Sequence, residues 1–145
     1  MTTFTYTTID FPGGNNTQAW GINATGQIVG VYADSNGQQH GFLDSGGQYS
    51  TIDFAGGQYT QAYGINDSGQ IVGAYADSGG ILHGFRDTGG VFTTIDFPGS
   101  ASTQADGINH SGQIVGAYQD SSNHYHGFLD TGGAYTTTPQ AASLP

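Results

Sequence analysis

Three histidines, His40, His83 and His126, stand 43 residues apart, each four residues before an aspartate: Asp44, Asp87 and Asp130. On a strand, residues four apart share a face, so imidazole and carboxylate project together. A symmetric set of such pairs could converge on a metal ion, since both groups are common ligands. Repetition argues for the plainer role. One histidine per repeat, always in the same frame, is what a hydrogen-bonding strut between strands looks like. No metal site is therefore assigned, and no cofactor is expected.

The remaining aspartates read in the same way. Asp34, Asp77 and Asp120 each precede a serine, which invites a calcium reading, but the alternating oxygen ligands of a calcium loop are missing and an Asx turn fits better. Asp10, Asp53 and Asp96 fall inside strand-like runs. Apart from Asp67 and Asp106, every aspartate belongs to a repeated set. A hydrolase carboxylate pair belongs to one cleft and is rarely copied three times. The chain has no Cys and no Lys, no nucleophile-elbow serine and no phosphate-cradling loop. The expectation is a protein that is not an enzyme.

Repeated binding sites suit the sequence better. Sugar recognition pairs an aromatic face with Asp, Asn and Gln hydrogen bonds. Trp20, Tyr63 and Asp106 are equivalent positions beside Asn23, Asn66 and Asn109. These six are the candidate ligand-binding residues, expected at one rim close to a turn. The competing reading has the aromatics packing between units and the asparagines capping the turn. Weak sites repeated in one assembly gain by avidity.

The elements that must position these residues come from an internal repeat. Gly64–Ser78 (GINDSGQIVGAYADS) occurs also as Gly21–Ser35 and Gly107–Ser121, without a gap. Within one unit, Gly-containing breaks separate four short runs: Gln61–Asn66, Gln70–Asp77, Ile81–Asp87 and Val91–Phe97. Their lengths and turn chemistry predict strands joined by hairpins. Both alternating faces of Gln70–Asp77 are small or apolar, as in a strand packed between two other sheets. The last run has one wetter face.

The expected fold is all-β and β-propeller-like, with three four-stranded antiparallel blades per chain completed by oligomerisation. A β-trefoil monomer is the alternative. Boundaries fall at 1–11 (an N-terminal strand), 12–54, 55–97 and 98–138 (repeats 1 to 3), and 139–145 (a tail). The fourth run occurs four times, but in its last copy Thr138, Pro139 and Gln140 replace Ile, Asp and Phe. Hence Phe4–Phe11 of one chain is expected to complete the last blade of a neighbour, displacing the tail after Tyr135. Two or three chains would close a ring; failing closure, the same exchange would build a filament.

Composition limits the partners. The chain has 145 residues, a net charge of −10, 8% charged residues and one basic side chain, Arg86. Phosphate-backbone binding needs clustered cations, so nucleic acid is excluded. No apolar run reaches the roughly 18 residues of a membrane span. Met1–Thr8 lacks the features of a signal peptide.

The Gly-Ile-Asn-x-x-Gly-Gln-Ile-Val-Gly motif followed by His-Gly-Phe resembles the HAF family of extracellular bacterial repeats, with Gly41, Gly84 and Gly127 in the place of the family's Ala. The resemblance covers all three repeats. It implies a secreted repeat protein and brings no catalytic residues. The expected function is an extracellular module that self-assembles into a ring and binds ligands multivalently, carbohydrate first among them. A structural protein linking chains into fibres by strand donation is the alternative.

Overall fold

The computed structural model describes residues 1–137. Twelve strands form three antiparallel four-stranded sheets, each a meander in sequence order. Sheet 1 contains β1 (Asn15–Ile22), β2 (Ile28–Ala33), β3 (Gln39–Ser45) and β4 (Gln48–Ile52). Sheet 2 contains β5 (Tyr59–Ile65), β6 (Ile71–Ala76), β7 (Leu82–Thr88) and β8 (Val91–Ile95). Sheet 3 contains β9 (Ser102–Ile108), β10 (Ile114–Gln119), β11 (Tyr125–Thr131) and β12 (Ala134–Thr136). No helix occurs among the described residues, so none is long and apolar enough to cross a membrane.

The turns follow from their residues. Between β7 and β8 the two-residue loop Gly89–Gly90 has φ of +60° and +91°. That pair of left-handed conformations makes the tight hairpin turn that matches strand twist, and glycine adopts it without a Cβ clash. Asp87 accepts a 2.8 Å bond from the Gly90 amide and fastens the turn.

Every strand pairs within its own repeat. A trefoil, whose units share one barrel, is therefore excluded. The sheets instead stack face to face, and the three first strands stand side by side. One core cluster lies between sheets 1 and 2, with Val29, Ile52, Ala62, Ile71 and Phe85. A second lies between sheets 2 and 3, with Val72, Ile95, Ala105, Ile114 and Phe128. Fully burying each of the larger side chains contributes about 1.5–3 kcal/mol. All six residues of β6 are buried, as a strand sandwiched between two sheets requires, whereas β4 and β8 keep a wet face. This is a propeller-like array of three blades.

Each blade is tied to the next by the residue that leaves its last strand. Phe54 stacks on Tyr75 at 3.7 Å and Phe97 on Tyr118 at 3.8 Å. Their amides donate to Thr60 and Thr103 at 3.0 Å. Phe11 does the same on Tyr32 and Thr17, although among the described residues no sheet comes before it. The residues before it, 1–10, form no strand, and Phe4 and Tyr6 are exposed.

Candidate functional site

The six candidate residues separate into two groups. Trp20, Tyr63 and Asp106 do not sit on the turn. They occupy the register shifts in β1, β5 and β9, where Ala19/Gly21, Ala62/Gly64 and Ala105/Gly107 flank an unpaired extra residue. Such a bulge re-aims a side chain out of the ladder. Ala62 and Ala105 are fully buried in the cores, whereas Tyr63 beside the first is half-buried and Asp106 beside the second is exposed.

Around the bulges the chemistry is polar and aromatic. Trp20 stands edge-on to Tyr63, ring centroids 6.1 Å apart, and is 56% exposed. The Tyr63 hydroxyl donates to Gln61, whose own amide donates to Gln39 on the preceding blade at 2.6 Å. Gln104 donates to Asp106 at 2.8 Å. Burial, reinforced by the negative charge of Asp106, pushes the Tyr63 phenol up to about 12. Burial also raises the Asp106 carboxyl, against the opposing Gln104 bond. The strip thus presents hydrogen-bond donors and acceptors beside aromatic faces. Gln61 and Gln104 were not among the expected residues. Their signal was available, since Gln18, Gln61 and Gln104 repeat two residues before each bulge.

The asparagines are occupied elsewhere. Asn66 takes the Gln70 amide on Oδ1 at 2.9 Å, and its Nδ2 donates to Gln70 Oε1 at 2.9 Å and to the Asn109 carbonyl at 3.1 Å. Asn23 makes the same set with Gln27 and the Asn66 carbonyl. These side chains fold the turn and bolt one blade to the next, so a ligand would have to displace those bonds. Asn109 makes the turn bonds, and among the described residues its Nδ2 meets no further carbonyl.

The histidines do not converge, and their partners are not Asp44, Asp87 and Asp130, which cap turns instead. His40 Nδ1 lies 2.9 Å from Asp53 and Nε2 lies 3.3 Å from Asp34, with the ring stacked on Tyr32. His83 repeats the clamp with Asp96 at 2.9 Å, Asp77 at 3.1 Å and Tyr75. Partial burial of each ring works against protonation, but the two carboxylates outweigh it and raise both histidines above their ordinary value. Asp34 is held low chiefly by the Gln38 amide and Asp77 chiefly by His83. Among the described residues no group of three or more ligating side chains is arranged to hold a metal ion. Asp34, Asp77 and Asp120 form the expected Asx turns, accepting amides two and four residues on.

Clefts between successive blades were not foreseen. One of about 350 Å³ lies between sheets 2 and 3, lined by His83, Asp96 and Pro98–Ser102. Another, of about 480 Å³, lies beside the turns at Thr25 and Asp67.

No protein-family model matches the chain, and no curated protein matches it. Among solved structures it is similar to a fungal lectin from Aleuria aurantia, described as a six-bladed β-propeller with a novel fucose recognition mode. The TM-score is 0.48 and the identity 18%, over 89% of this chain and 46% of that one. The chain spans just under half the length of that lectin.

Proposed function

We propose that the protein is a non-enzymatic extracellular module whose copies close a propeller ring and bind carbohydrate multivalently. The observation that carries this reading is that the two ends of the array expose what the interior buries. Val115 is 50% exposed, whereas its equivalents Val29 and Val72 are fully buried. At the other end Ile22 is 67% exposed against 7% for Ile65. Ala19 is exposed where Ala62 and Ala105 are buried. A continuous apolar face of this kind marks an interface. The two faces are those that pack on each other inside the chain, so a second copy fits head to tail, and closure follows cyclic symmetry. The repeated aspartates favour a non-catalytic role, because most are committed to turns and clamps. The HAF resemblance favours an extracellular setting.

Carbohydrate is the ligand class favoured by the strip at the bulges, where Trp20 and Tyr63 offer aromatic faces beside the amides of Gln61 and Gln104. Assembled protein applied to a glycan array is expected to bind a narrow set of sugars, with Trp20→Ala lowering apparent affinity at least about tenfold and leaving the melting temperature within about 2 °C. An array without hits on assembled protein removes the carbohydrate reading.

A further inference from the structure

We propose that residues Phe4–Asp10 of one copy form the fourth strand of a second copy's third sheet, displacing β12, with the Asp10 carboxylate on Nδ1 of the neighbour's His126. The inference rests on the assembly reading above and specifies its joint.

Two half-sites in the chain are complementary. His126 has one carboxylate where His40 and His83 have two: its Nε2 meets Asp120 at 2.8 Å, and among the described residues nothing meets its Nδ1. The aspartate that fills this place is Asp53 for His40 and Asp96 for His83; for His126 the position is Pro139. Asp10 is the remaining member of that aspartate set, and among the described residues no histidine meets it. One orphan is a donor of hydrogen bonds and the other an acceptor.

Sheet register agrees. β4 and β8 each make five ladder pairs with the strand before them, ending at Gly41↔Ile52 and Gly84↔Ile95. There the Ile Cβ sits 3.3–3.4 Å from where a Cβ on the glycine would stand. β12 makes three pairs and stops at Leu129↔Thr136. Gly127 is exposed, and among the described residues nothing comes closer than 3.9 Å to its Cβ position. In the N-terminal copy of this strand, Ile9 stands where Ile52 and Ile95 do, so the same register sets Thr7 opposite Leu129 and Ile9 opposite Gly127. The strand is also aimed correctly. Phe11 is already seated on Tyr32 as Phe54 and Phe97 are seated on the next blade. Residues 4–10 therefore leave blade 1 on the side where a preceding blade would stand.

The chain has no native cysteine, so a designed disulfide reports the joint directly. Thr7→Cys protein is mixed with Leu129→Cys protein under oxidising conditions and run on a non-reducing gel, beside light scattering of the wild type. The expected result is a covalent heterodimer in the mixture, with Asp10→Ala weakening assembly about tenfold in the wild-type background and adding nothing in a His126→Phe background. Assembled wild type without the cross-link overturns strand exchange and leaves face-to-face assembly standing. A cross-link with Asp10→Ala assembling normally overturns the Asp10–His126 pairing. A monomeric wild type overturns both readings.

Discussion

At the scale of single residues the His40 and His83 clamps set a pH dependence. In each, both ring nitrogens face carboxylates, so the doubly protonated cation is the form whose bonds are all satisfied. The folded-state value lies above the ordinary 6.5. The clamp's stabilisation is therefore complete below that value and fades as pH rises through the folded one. The Asp34 and Asp77 carboxyls are lowered, and their share is present above 3.8 and lost as pH falls through the folded value. Melting temperature is expected to drop by roughly 3 °C more between about pH 6 and about pH 8 in the wild type than in a His40→Phe/His83→Phe variant, which keeps the stack on tyrosine. Equal slopes would show that the clamps do not govern stability. The histidines were legible as struts from their spacing, but their partners were not. Asp34 reaches His40 from across a turn and Asp53 from the end of the neighbouring strand, 13 residues on, and local spacing singles out Asp44 instead.

At the scale of the element, the strands follow from hydrophobic pattern and turn residues. The second strand of each sheet was recognisable from its two-sided small and apolar faces. Gly73 shows why small residues are required there. A Cβ at this position would run into the Gln61 carbonyl oxygen and come within 2.8 Å of the Phe85 ring. Gly73→Ala is expected to cost roughly 3 kcal/mol in chemical denaturation, whereas Gly79→Ala, at a loop site with one neighbour 3.3 Å away, costs under about 1 kcal/mol. Comparable losses would mean that the sheet spacing relaxes easily. The bulge at Tyr63 was hidden in the sequence. An extra residue in a ladder changes neither composition nor hydrophobic alternation enough to be seen, so Trp20 and Tyr63 were expected on or next to the turn rather than at a bulge within the strand.

At the scale of the whole molecule, the sequence announced three units and an incomplete fourth, and their shared register makes the ends match the middle. What it could not show is which side chains the last interface leaves bare; that depends on the handed stacking of the sheets. Val115 is the sharpest probe, since it is exposed in a single chain and buried in both internal equivalents. Val115→Asp is expected to leave the unfolding transition of the isolated chain unchanged while shifting the light-scattering mass to that of one chain. A mass unchanged from the wild type would place the contact elsewhere.

The linking phenylalanines carry one more consequence. Because Phe11, Phe54 and Phe97 belong to one blade by chain order and to the next by packing, a cut anywhere in the sequence and its copy 43 residues on fall at the same structural phase. Unequal recombination between repeats at any point would thus add or delete a blade without creating a junction the fold has not already made. For this architecture blade number is a matter of how many repeats one gene carries, and the array is free to lengthen or shorten by whole repeats while each interface between blades stays as it is.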